Sequence, residues 1–411
     1  MLLQEMTVFG TSLPDRYFIA DEICLSCRLI QFNRRKYGRR TPSKVIIMDF
    51  VPLIDSIGEP ATLALAGFVL AFVFGFAAER SGFCTRSAIL EIMDRKVATA
   101  LPVWLLALGV AILSTQLAIF NGWIDVGESR FFRTPQSLSG ALIGGALFGI
   151  GMALARGCTS RLMVLGAGGN LRALAAVAAI ALAALATYQG FLVPFRDAAG
   201  GIVNTSALGG NEIGQLLSNS YAGLFIGGVV LFAAAFTALR SRLSAWKSVG
   251  GVLIGTLITA AWYVTHQLSE QVFDPIEIES LSFSRPSANA INYVASGGAE
   301  EYLSLDTGMI AGLFLGAFAA ALLFRSFAVR GFGEAGAPHF SRYIAGGALM
   351  GFGGILAVGC TVGAGFTGGS VLAVSSVLGL ASMMTFCAAT DLVLRRLADR
   401  TSAKPSPVPA E

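Results

Sequence analysis

The sequence predicts an all-α, polytopic membrane protein with about nine transmembrane helices, and two observations carry that expectation. The chain is 55% hydrophobic and only 13% charged. Its apolar residues gather into uncharged stretches of spanning length, at 61–78, 97–120, 134–155, 173–195, 213–239, 248–269 and 307–324, with a last stretch, 343–390, that has no charged side chain at all. A bilayer core of ~30 Å takes about 20 apolar residues in a helix. Lipid offers no partner for backbone polar groups, so only helices and closed barrels span it. These runs are too long and too continuous for barrel strands.

In chain order, residues 1–48 stand apart. They mix polar and apolar residues, carry the basic runs Arg34-Arg35-Lys36 and Arg39-Arg40, and lack both a spanning stretch and the order of a signal peptide. They read as an extension that is disordered or not translated. The CxxC at Cys24 and Cys27 lies within it. The first apolar stretch ends at Gly82-Phe83-Cys84-Thr85. The third holds Gly144-Gly145-Ala146-Leu147-Phe148-Gly149-Ile150-Gly151 and ends at Gly157-Cys158-Thr159. That block recurs, at an offset of 202 residues, as Gly346-Gly347-Ala348-Leu349-Met350-Gly351-Phe352-Gly353 and Gly359-Cys360-Thr361. Glycine-rich segments follow both, at Gly166–Asn170 and Gly363–Gly369. They predict short, broken helices, tolerated in lipid only where protein or a water-filled cavity receives their polar groups. The expected organisation is two repeat halves, about 49–200 and 201–397, with a disordered tail at 398–411.

Loop charges give a direction. Loop 240–247 carries Arg240, Arg242 and Lys247 without an acid, whereas loop 270–306 is strongly acidic. The tail carries Arg395, Arg396, Arg400 and Lys404. Basic loops face the cytoplasm. Nine passes then put the N-terminus of the helical core outside and the C-terminus inside. The same count runs the two copies of the block in opposite directions, as an inverted repeat whose centre is the expected binding site.

Three cysteines share one local pattern, Gly-(Phe)-Cys-Thr, at Cys84, Cys158 and Cys360. Thiols are weak donors and soft contacts, suited to a ligand with exposed sulphur. Gly157 and Gly359 bring backbone N–H groups, Thr85, Thr159 and Thr361 bring hydroxyls, and Arg86, Arg156 and Arg161 are candidate anion contacts or, alternatively, anchors at the membrane interface. Cys387 sits in an uninterrupted helix and reads as packing. His266 and His339 read as structural. No cysteine spacing fits a zinc or iron–sulphur framework, and no phosphate-binding glycine loop occurs, so no metal or cofactor is expected. The net charge of +4 is small and lies in loops, which excludes a nucleic-acid partner.

Gly82-Phe83-Cys84 after a first helix, with the paired GGAL-x-G-x-G and GCT blocks, resembles the YeeE/YedE sulphur-transport family over about residues 49–397. The resemblance implies nine transmembrane helices plus short broken ones, a narrow central pathway, and a transporter rather than an enzyme. It implies import of thiosulfate or a related small sulphur anion across the bacterial inner membrane, passed along Cys84, Cys158 and Cys360. A cytoplasmic sulphur-carrier or sulfurtransferase protein is an expected partner, besides membrane lipid. The alternatives are a membrane sulfurtransferase that forms a persulfide on Cys158 or Cys360, an importer of another sulphur or selenium compound, and a structural subunit whose cysteines only pack.

Overall fold

The computed structural model describes residues 48–216, 221–272, 276–332 and 339–402, all within one compact unit, Ile46–Glu411. Of the expected extension only Met48 is described; Cys24 and Cys27 lie outside the described residues. Residues 398–402, assigned from sequence to the tail, continue the last helix.

The described chain is helical. Its α-helices are α1 (Val51–Ile57), α2 (Glu59–Ser81), α3 (Thr85–Met93), α4 (Ala100–Phe120), α5 (Leu138–Leu154), α6 (Thr159–Ala167), α7 (Leu171–Gln189), α8 (Val193–Gly200), α9 (Ile213–Leu216), α10 (Ala222–Arg240), α11 (Ala245–Ser269), α12 (Ser284–Ala295), α13 (Leu305–Leu323), α14 (Phe340–Leu356) and α15 (Val374–Ser402). A π-helical turn, Thr361–Gly368, separates the last two. Nine segments among the described residues are long and apolar enough to cross a membrane, as the sequence predicts. Several helices begin where a side chain satisfies the free backbone N–H groups of the first turn. Ser137 accepts from Gly140 at the start of α5, Asn170 from Arg172 and Ala173 at α7, and His339 from Ser341 at α14.

The duplicated blocks lie on α5 and α14, which cross at the centre. A Cβ on Gly144 would sit 2.7 Å from the carbonyl oxygen of Gly353, and one on Gly151 would sit 2.5 Å from that of Gly346. The start of each helix therefore meets the end of the other, and the contacts are reciprocal: Gly144 corresponds to Gly346, and Gly151 to Gly353. Two copies of one sequence packed antiparallel in matched register are related by a two-fold axis across the helices, the geometry of an inverted repeat. Only residues without a Cβ let the two backbones approach so closely.

The remaining elements obey the same symmetry. Helix α5 runs parallel to α15, with Gly145 against Gly379 and Gly149 against Met383, and α14 runs parallel to α7, with Gly347 against Ala176 and Gly351 against Ile180. Helix α2 packs on α13, and α4 packs on α11. Helix α10 packs on α4; among the described residues it has no counterpart in the first half.

Candidate functional site

Each of the three sequence-predicted cysteines is the N-cap residue of a short broken element. Cys84 opens α3, Cys158 opens α6, and Cys360 opens the π-helical turn. All three are free thiols, with exposures of 4%, 0% and 0%. The threonine that follows each is fully buried. Every such N-terminus presents the positive end of a helix dipole, which favours an anion.

The chain turns into Cys158 and Cys360 by one device. The N–H of Gly157 donates to the Met152 carbonyl at 3.2 Å, and that of Gly359 donates to the Gly354 carbonyl at 2.8 Å. The residue before each glycine is left-handed, Arg156 at φ 60° and Val358 at φ 61°. This is the six-to-one helix ending that glycine normally completes. A β-branched residue in that region is strained by about 1–2 kcal/mol. The strain sits two residues from Cys360.

Cys84 and Cys158 belong to one buried cluster, and Cys158 Sγ lies 3.5 Å from Ser160 Oγ. An aromatic cluster ties this pair to the second half. Phe366, in the turn that Cys360 opens, packs against Phe83 at 5.3 Å and Trp104 at 5.5 Å, and Phe74 bridges Phe83 to Phe283. Trp104 Nε1 donates to Thr85 Oγ1 at 3.2 Å. The centre is thus filled by buried rings and thiols. The hydroxyls of Thr159 and Thr361 are buried without a partner. Buried polar atoms are seldom left so, and these are open to a ligand.

Of the three candidate arginines, Arg161 acts by its charge on the Cys84 thiol. Arg86 is bound to Asp391 at 2.7 Å, and Asp391 also receives Arg395. Arg161 faces Glu79 at 3.6 Å. Arg156 is exposed. Asp391 is 6% exposed and serves this ion pair. Cys387 is buried in the interior of α15.

The structure adds a feature that the sequence reading lacks. A cavity of about 170 Å³ opens beside Gly359 and is lined by Arg130, Tyr188, Ser282, Arg285, Gly354 and Val358 among others. Arg285 is clamped by Glu277 at 2.6 Å, Asp306 at 3.0 Å and Glu279. Burial pushes the Glu279 carboxyl up to about 7, against the pull of Arg285. Burial also lowers the Arg130 pKa from its ordinary value, with the like charge of Arg285 adding to it. One sequence signal points here. Phe83-Cys84-Thr85-Arg86-Ser87-Ala88 has a counterpart in Phe283-Ser284-Arg285-Pro286-Ser287-Ala288, where serine replaces cysteine. Its offset is 200 residues rather than 202, so it escapes the register of the other blocks.

Known proteins share this arrangement of sequence. A family profile described as sulphur transport matches residues 80–389. The thiosulfate transporter TsuA of Escherichia coli is 24% identical over 324 residues, covering 73% of this chain and 85% of that protein. The thiosulfate transporter TsuA of Spirochaeta thermophila is 33% identical over 94 residues, 23% of this chain and 27% of its own length.

Proposed function

This chain belongs to the sulphur transport family, and from that premise we propose that it imports thiosulfate, or a closely related sulphur anion, across the bacterial inner membrane. The observation that carries the reading is the repeated placement of a buried free thiol at the N-cap of a broken helix, three times in one inverted repeat. A thiosulfate ion has a soft sulphur end and a hard oxygen end. Thiols are weak donors to the first; backbone N–H groups and the free hydroxyls of Thr159 and Thr361 suit the second. Weak, successive contacts hold an anion firmly enough to enter and loosely enough to leave. No covalent bond need form at any thiol.

The acidic loop between α11 and α13 faces outside on this reading, and the Arg395 end of α15 faces the cytoplasm. The cavity beside Gly359 is then the outer mouth, and Arg86 and Arg161, held by carboxylates, line the inner side. The anion passes from Cys360 to the Cys84–Cys158 pair and leaves to a cytoplasmic sulphur-carrier or sulfurtransferase protein. Residues 49–397 form the transport domain, and residues 1–48 are dispensable to it.

The test is uptake of radiolabelled thiosulfate into sealed vesicles that hold the purified full-length protein. The expected result is intact thiosulfate in the lumen, with no label retained on the protein after denaturation. Label recovered as protein persulfide, with none in the lumen, would overturn transport in favour of sulphur transfer.

A further inference from the structure

The cavity beside Gly359 holds groups that the thiol path does not use. Arg130 Nε and Nη2 are buried and make no hydrogen bond, and the same is true of Ser282 Oγ on the facing wall. The Arg130 guanidinium lies 5.0 Å from the centre of the Phe131 ring. Among the described residues no carboxylate pairs with it, whereas its neighbour Arg285 has three. A half-buried cation with two buried free donors, lining one cavity with a free hydroxyl, is suited to receive an oxyanion.

The charges around it set a condition. Arg130 and Arg285 line the cavity, and Glu277, Glu279 and Asp306 stand behind them on Arg285, so with every carboxylate ionised the cluster is net negative and opposes an anion's binding. Glu279 is the most constrained of the three. It is 4% exposed, its Oε1 is bound by Arg285, and its Oε2 is buried without a partner. It takes its place from the backbone, whose carbonyl accepts from Thr265 on α11 at 2.7 Å. The charged groups that act on it are Arg285, Asp306, Arg130 and Glu277.

We propose that this cavity is an oxyanion station, in which Arg130 and Ser282 bind the anion's oxygens and Glu279 takes up a proton as the anion arrives. The proton comes from a hydronium ion or buffer acid in solution: one of the donor's O–H bonds breaks, an O–H bond forms at Oε2, and the donor is left as water or conjugate base. The anion's charge, added near Glu279, favours its neutral form, and the neutral form in turn strengthens anion binding. Oxygen ligands do not distinguish thiosulfate from sulfate, so the station accepts both. It rests on the transport reading only for the identity of the cargo.

Calorimetric titration of the full-length protein in detergent tests this without transport. Sulfate and thiosulfate are titrated in two buffers of different ionisation enthalpy. Both anions should bind, each with uptake of about one proton when the pH is above the Glu279 titration and below its anion-bound value. Affinity should fall by up to about tenfold per unit of rising pH through that window. Arg130→Gln should weaken both anions by about tenfold or more, with Arg130→Lys intermediate, and Ser282→Ala should weaken both by less. Glu279→Gln should abolish proton uptake and flatten the pH dependence. Variants are compared only as monodisperse preparations, and Ser282→Ala with Arg130→Lys serve if Arg130→Gln aggregates. Wild-type affinity in the arginine and serine variants would overturn the station, and binding without proton uptake would overturn the role of Glu279. If both anions bind as described but vesicles take up no thiosulfate, the transport reading fails and the station stands.

Discussion

At Cys158 a regular helix follows the thiol, Cys84 shares its buried cluster, and Arg161 nearby faces Glu79. At the equivalent Cys360 a π-helical turn of small residues follows, no basic residue adjoins the cysteine in sequence, and a cavity reaches the preceding glycine. Both turns are entered through a left-handed residue two positions before the cysteine, although Gly359 has a φ of 147° and Gly157 does not. What the turn meets also differs. The duplication thus fixed where the chain breaks, and the two environments diverged around it. A widened π-type turn absorbs irregularity in a helix and is common at functional sites; here it directs Phe366 against Phe83 and Trp104.

Removing the shared element should have the largest effect. Cys158→Ala and Cys360→Ala should each reduce thiosulfate uptake by about tenfold or more, since tenfold corresponds to only ~1.4 kcal/mol lost along the path. Uptake normalised to membrane protein measures this. If one variant transports like wild type, the two turns are not equivalent stations.

Next in size is the crossing that aligns the turns. Gly353→Val places a Cβ where only 2.5 Å separates it from the Gly144 carbonyl oxygen. Overpacking of this kind costs ~1–3 kcal/mol, and the axis crossing offers no flexible side chain to yield. A lowered thermal midpoint in detergent and a reduced membrane yield are expected. An unchanged midpoint would mean that α5 and α14 do not pack so closely.

Val358→Gly separates the two turns further. The valine pays a backbone cost at φ 61° that glycine does not, so the variant should be as stable as wild type or more stable, by up to about 1 kcal/mol after the greater freedom of unfolded glycine is counted. Thermal unfolding measures the change, and a clear loss of stability would place the side chain's packing above the strain. The smallest effect is expected from Cys387→Ala. That thiol lies in the interior of α15, and uptake should remain at the wild-type level. Loss of uptake there would extend the thiol path beyond the three N-cap cysteines.

Particular residues show how far the chain could be read unaided. The spans were legible because apolar length is a local property, set by the ~30 Å hydrocarbon thickness. The breaks before Cys158 and Cys360 were legible because glycine runs and a repeated Gly-Cys-Thr mark them in one dimension. The partners of the arginines were not. Arg86 meets Asp391 across 305 residues of chain, and nothing in the neighbourhood of either predicts the other. Read locally, Arg86 and Arg161 look like free cations beside a thiol; in the fold both are engaged by carboxylates.

The sequence by itself determined a helical membrane protein with a duplicated, antiparallel core and a thiol at each break, since burial in lipid and helix termination follow from composition and spacing along the chain. Only the tertiary structure decided which cations are free. Arg130 comes from the segment between α4 and α5, and Ser282 from the segment between α11 and α12 beside the Phe283–Ala288 counterpart; nothing in either segment names the other. Their juxtaposition depends on how the two halves pack across the axis, and the charge of a buried group depends on what that packing places around it.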